Sequence, residues 1–131
     1  MTKTAYAIGY SGRTPEEIRA IVEELDAYLV DIRFVPFSRN PGFRKKALES
    51  LLGNRYVHLQ ILGNRNYRGG PLELVNYEGG RAALEVLDKP ALLMCMCKDA
   101  LTCHRTFVLE KLAQDGFETQ EWGAPQQLTL W

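Results

Sequence analysis

Short β-prone runs alternate with helix-start signals along this 131-residue chain, and that alternation restricts the fold more than any other feature. Ala5 to Gly9 is a β-prone run stopped by glycine. Thr14-Pro15-Glu16-Glu17 then supplies a helix N-cap, a proline at the first helical position and the glutamate of a capping box. Ile18, Ile21, Val22 and Leu25 follow at helical spacing. Tyr28 to Ile32 reads as a buried strand, 34–43 as a loop, Arg44 to Leu52 as a short helix stopped by Gly53, and Tyr56 to Ile61 as a third strand. After a glycine-rich loop over 63–71, a helix is expected from about Leu72 to Leu87, with Gly79-Gly80 as a possible break. Ala91 to Cys95 is the most apolar strand. Thr102 to Gln114 reads as the last helix, with Phe107, Val108, Leu109 and Leu112 inward, and Phe117 to Trp122 as a fifth strand.

Strands separated by helices of this length imply crossover connections and a parallel sheet covered on both faces. The expectation is one α/β domain over residues 1–131. It has a mostly parallel sheet of about five strands with helices on both faces, a Rossmann-like or flavodoxin-like three-layer arrangement. A hydrophobic content of 46% is enough for its core.

Sixteen basic and sixteen acidic residues give a formal net charge of zero, which argues against a globally basic nucleic-acid binder. The charges are unevenly distributed. Between Arg33 and Arg68 eight basic residues face one acid, Glu49, so this stretch carries +7 and the remainder −7. Such asymmetry points to an anionic partner, a small molecule or a nucleic acid. The N-terminal residues lack an apolar run, so no signal peptide is expected, and no segment approaches the roughly 20 apolar residues that span a bilayer. Three cysteines, an odd number, suggest no disulfide framework. A cytoplasmic location with reduced thiols is expected, and no membrane partner. Oligomeric state is not readable from the sequence.

Ligands of open parallel sheets bind at the carboxyl ends of the strands, where most of the unusual polar residues of this chain fall. Cys103-His104-Arg105 opens the last helix. There the helix dipole lowers a thiol pKa, an imidazole can move protons and an arginine can clamp phosphate. A capped helix with a packed cysteine and a solvated arginine is the bland alternative. Arg105 in a first helical turn opposes the dipole, so an anion, either a ligand or Asp31, is its expected partner. On that reading Arg105→Ala leaves stability about unchanged.

Asp31, in an otherwise apolar strand, must be paired, and Arg33 shares its face. Its role is either catalytic or that of an ion-pair anchor. Ser11, Ser38, Arg39, His58 and Cys95 complete the candidate set. Cys95, Cys97, Cys103 and His104 are chemically able to bind a soft metal, but their spacing matches no common zinc module, and neither a metal nor a cofactor is assigned. The turn Gly9 to Arg13 is neither a P-loop nor a dinucleotide fingerprint.

Tyr6 to Ser11, Thr14 to Glu17, Leu29 to Arg33, Pro36, Ser38-Arg39, Pro41 to Phe43, Tyr56 to Leu59, Leu62-Gly63 and Cys103 to Arg105 together resemble the domain-of-unknown-function family 488 of bacteria and archaea. The resemblance implies a compact α/β domain with a polar pocket fed by these motifs, and no particular activity. Cys95, Cys103, His104 and Arg105 match the family pattern. Cys97 stands where members often carry an acid, which weakens the metal reading.

Two functions follow as expectations, with a metal or redox site built on the cysteines as a third. In the first, Arg33, Arg39 and Arg105 hold the phosphate of a small molecule, nucleotide or nucleic-acid end, with Cys103 as nucleophile and His104 or Asp31 moving protons. In the second, the basic stretch binds nucleic acid without chemistry, and Tyr56 and Tyr67 stack on bases.

Overall fold

The computed structural model describes residues 3–96 and 104–123. Its parallel strands are β1 (Thr4–Gly9), β2 (Tyr28–Asp31), β3 (Tyr56–His58), β4 (Ala91–Cys95) and β5 (Glu118–Glu121). Its helices are α1 (Pro15–Leu25), α2 (Lys45–Leu52), α3 (Tyr77–Glu85) and α4 (His104–Gln114). The fold is the expected α/β three-layer arrangement.

Helix α1 starts where its capping box places it. The Thr14 hydroxyl accepts from the Glu17 N–H at 3.1 Å, and the Glu17 carboxylate accepts from the Thr14 N–H at 2.7 Å. At its other end Asp26 adopts a left-handed conformation with φ of 51°. Helix α2 ends at Gly53, whose φ of 58° suits glycine.

The sheet order is β3-β2-β4-β1-β5. From β1 the chain runs outward to β2 and β3, returns to insert β4 between β2 and β1, and finishes as β5 on the far edge. That reversal sends the helices to opposite faces. One core packs Ile18, Ile21 and Val22 of α1 and Leu48 and Leu52 of α2 against Ile8, Leu29, Leu92 and Met94. The other packs Leu84 of α3 and Val108, Leu109 and Leu112 of α4 against Ala7, Val30, Leu93 and Cys95. Alternate residues of β4 thus serve opposite cores, as the two-residue period of a strand requires. Because the connections leaving β1 and β4, and those leaving β2 and β4, lie on opposite faces, a crevice opens at the carboxyl ends of these three strands.

Three local expectations are corrected. Strand β3 stops at His58, because Gln60–Leu62 turns into a short 3-10 helix and no further β2 backbone is available in register. Helix α3 begins at Tyr77, with Asn76 capping the Gly79 N–H, so the two glycines occupy its first turn without breaking it. Phe107 is exposed, pointing away from the core that its helix neighbours fill. Gly63 is the tightest point: a β-carbon there would lie 2.9 Å from the Phe34 backbone, so the loop after β2 rests directly on it.

Candidate functional site

Strand β2 delivers Asp31 to the buried floor of the crevice. Its carboxylate accepts from the Arg33 N–H (3.1 Å), Nε (2.8 Å) and Nη2 (2.6 Å), and from the Tyr56 hydroxyl (2.6 Å). Four donors use the capacity of two carboxylate oxygens. This is the paired arrangement that burial of a carboxylate demands, and its direct effect is to fix the Arg33 guanidinium. Tyr10 flanks that guanidinium, with its ring centroid 5.4 Å from Cζ and its hydroxyl 3.4 Å from Nη1. Phe43 stacks on Tyr10 at 4.2 Å. Burial, and then the adjacent Asp31 carboxylate, push the Tyr56 hydroxyl well above its ordinary pKa, so it stays a proton donor. Tyr56 is therefore committed to the floor and is not available for stacking.

Two histidines hold the next two carbonyls of the chain. His104 Nε2 lies 3.1 Å from the Ile32 carbonyl and His58 Nε2 lies 2.9 Å from that of Arg33. A carbonyl oxygen only accepts, so both Nε2 atoms carry the proton. Burial is the main cause that depresses the His104 pKa below 6.5; the Ile32 carbonyl opposes the shift and the Arg105 charge adds to it. Well above 6.5 the imidazole is neutral in both folded and unfolded chains and contributes nothing. Below it the unfolded chain takes up a proton that the folded site resists, so stability falls until the depressed folded pKa is passed. The slope cannot exceed about 1.4 kcal/mol per pH unit for one group. Urea midpoints are expected to drop between about pH 7.5 and about pH 5.5, more steeply in the parent than in His104→Gln, which keeps a donor for Ile32 without titrating. Equal slopes in the two proteins would remove this role.

Arg105 is buried, and its carboxylate partner is Glu121 rather than Asp31. Its Nη2 lies 2.8 Å from a Glu121 oxygen of β5, and its Nε is 3.1 and 3.2 Å from the two carboxylate oxygens. Its Nη1 donates to Cys95 Sγ at 3.3 Å. This corrects the expected partner: the parallel pairing of β5 with β1, which aligns Glu121 with Ala7, brings a carboxylate to the start of α4. Cys95 is disulfide-bonded, where the sequence suggested no disulfide framework. An odd, closely spaced set of cysteines carries no framework pattern, so pairing shows only in three dimensions. Cys97 and Cys103 lie outside the described residues. Among the described residues no group of three His, Cys, Asp or Glu could hold a metal ion.

Three clefts meet at the crevice. The first, about 500 Å³, is lined by Tyr10 to Arg13 after β1, by Ser38, Arg39, Asn40 and Phe43 after β2, and by Met96 after β4. The second, about 290 Å³, shares Ser11, Gly12 and Arg13 and contains the Arg105–Glu121 pair with Glu17. The third, about 590 Å³, shares Met96 and is lined by Arg33, Phe34, Val35, Phe37, Asn64, Tyr67, Arg68 and His104.

Of the residues expected from sequence, Ser11, Ser38 and Arg39 therefore share the first cleft, Arg33 and His104 the third, and Arg105 the second. Asp31, His58 and Cys95 lie behind these walls as supports. Sequence reasoning missed Arg13, Asn40, Phe37 and Arg68 as lining residues. The prolines and glycines of 34–43 and 63–71 marked both segments as loops, but not that they wall a cleft or which side chains face it.

Among the described residues no helix is long and apolar enough to cross a membrane. Residues 17–70 match the model of a family described as Domain of unknown function DUF488. No curated protein and no solved structure matches the chain significantly.

Proposed function

We propose that this chain, whose residues 17–70 match the DUF488 model, binds a phosphate-bearing ligand in the first cleft, between the loops that follow β1 and β2. One observation carries the reading: the cleft is lined by two arginines, Arg13 and Arg39, two serine hydroxyls, Ser11 and Ser38, and the Asn40 carboxamide, with no carboxylate among its described lining residues. Arg39 is exposed and has no acidic partner among the described residues. The buried Ser38 hydroxyl accepts from the Asn40 N–H at 3.1 Å, which leaves its own proton to donate. The cleft sits where parallel sheets bind ligands, at the carboxyl ends of strands whose connections diverge. The groups offered for chemistry are more constrained. His104 is held on Ile32, and Asp31 is held by Arg33 and Tyr56. The proposal is accordingly one of recognition, with Arg33 presented at the cleft junction and Arg105 serving the scaffold.

Titration with inorganic pyrophosphate at low salt is the direct test. Arg39→Ala is expected to weaken binding by about 2 kcal/mol, the scale of a lost charge-assisted hydrogen bond, and to leave the melting temperature unchanged. Absence of binding by the parent, or an affinity indifferent to Arg39→Ala, would discard the reading. A second reading, binding to nucleic acid without chemistry, draws support from Arg44, Lys45 and Lys46, which are exposed without acidic partners among the described residues. It requires an affinity that falls with salt by roughly 0.7–0.9 log units per decade for each phosphate contacted.

A further inference from the structure

The third cleft differs from the first in having an apolar, largely aromatic wall, and we infer that it receives the planar heterocyclic base of the same phosphorylated ligand. This inference rests on the phosphate reading of the neighbouring cleft. Four of the seven large hydrophobic side chains exposed among the described residues line this one cleft: Phe37 (59% exposed), Met96 (58%), Tyr67 (47%) and Val35 (42%). Gathered apolar exposure of this kind marks a binding surface, whereas scattered exposure does not. Two of the rings are braced by cations. The Arg44 guanidinium lies 4.6 Å from the Phe37 centroid. That of Arg68 lies 5.5 Å from the Tyr67 centroid, and its Nε donates to the Tyr67 hydroxyl at 3.0 Å. Tyr67 is further set against Phe34, with centroids 5.6 Å apart.

The polar groups of the wall select the occupant. Arg33, Arg68 and Asn64 are present without a carboxylate among the described lining residues. The Asn64 carboxamide oxygen already accepts from the Asn66 and Glu73 N–H groups, both at 3.0 Å, so its NH₂ is what remains for a ligand. An aliphatic guest would gain from burial but would leave these donors unanswered. A nucleobase has a π-face for Phe37 or Tyr67 and ring-nitrogen or carbonyl acceptors for Asn64 and the arginines. Its volume of about 590 Å³ falls in the range of ligand sites. Met96, lining both clefts, places the base site directly beside the phosphate site. A free nucleotide and a single strand both carry such a base and share this chemistry.

Calorimetric titrations with inorganic phosphate, ribose 5-phosphate, a nucleoside, a nucleoside monophosphate and a short single-stranded oligonucleotide test the assignment. The monophosphate is expected to bind about tenfold tighter than ribose 5-phosphate, the scale of one stacked base. Tyr67→Ala and Phe37→Ala should each reduce that advantage, and Tyr67→Phe should preserve it. Both rings are exposed, so the variants should melt with the parent. Arg39→Ala should weaken every phosphorylated ligand and leave the advantage intact. An oligonucleotide that binds tighter than the monophosphate identifies a strand as the source, and equal binding identifies the free nucleotide. Should the monophosphate bind no tighter than ribose 5-phosphate, or should its advantage survive both alanine variants, the base site is overturned while the phosphate reading stands. Binding of the nucleoside with no response to phosphate would do the reverse. An apolar peptide that binds this cleft while no nucleotide does would overturn the inference in favour of a protein partner.

Discussion

Asp31→Ala is expected to cost the folded chain about 3–5 kcal/mol, the range for removing one member of a buried ion pair. The Arg33 guanidinium it abandons is buried, and its Nε and Nη2 lose their carboxylate partner at once. The Tyr56 hydroxyl loses its acceptor in the same step. A domain of this size has a total stability of about 5–15 kcal/mol, so the variant should unfold at much lower urea. Asp31→Asn should fall between parent and alanine variant, because it keeps an acceptor but not the charge. Tyr56→Phe should cost only about 1 kcal/mol, one hydrogen bond. The decisive comparison is with Asp31→Ala combined with Arg33→Met. Once both charges are gone the uncompensated cation is gone too, and much of the loss should be recovered. A double variant as unstable as Asp31→Ala alone would mean that the carboxylate acts through something other than Arg33.

The second large effect concerns Arg105. From its place in the first turn of a helix, removal should be neutral or slightly favourable, because a cation opposes the dipole. The Glu121 carboxylate at 2.8 Å reverses that sign. Arg105→Ala is expected to destabilise the chain by about 3 kcal/mol, the lower end for a broken buried pair, since Glu121 keeps some exposure to water. Arg105→Lys should recover part of it, a single ammonium being unable to reproduce the three nitrogen contacts. A double-mutant cycle with Glu121→Gln isolates the pair. A coupling near zero, with Arg105→Ala as stable as the parent, would return Arg105 to the role of a ligand clamp.

These two arginines show what a sequence discloses and what it withholds. Asp31 ends β2 and Arg33 lies two residues beyond it, so an extended continuation of the strand puts both on one face. Their pairing was legible for that reason. The capping box at Thr14 was legible on the same terms, since donor and acceptor lie within four residues. Arg105 and Glu121 are 16 residues apart, and they meet only because β5 adds to the edge beside β1. Nothing local specifies that edge. Tyr56 likewise meets Asp31 through the register of β2 with β3. Read locally, it is an aromatic in a basic stretch, which suggested stacking. The sheet makes it a buried donor, and the stacking surface falls instead to Phe37 and Tyr67 on the loops. The alternation of elements revealed the carboxyl ends as the meeting place, but which candidates support the crevice and which line it depended on side-chain direction at turns that have no period to read.

That division of labour has a consequence for how such a chain can diversify. The side chains that hold the crevice open (Asp31, Tyr56, His58, Arg105 and Glu121) are bound to one another or to backbone. The side chains proposed to meet the ligand (Arg39, Phe37, Tyr67 and Arg68) are exposed on loops and add little to the two cores. Substitutions at such loop positions ordinarily change stability by no more than about 0.5 kcal/mol. Ligand preference and foldability are therefore separately mutable: the loops can explore new guests by single substitutions without approaching the stability threshold, while the ion pairs beneath them, Asp31–Arg33 and Arg105–Glu121, change at low cost only together.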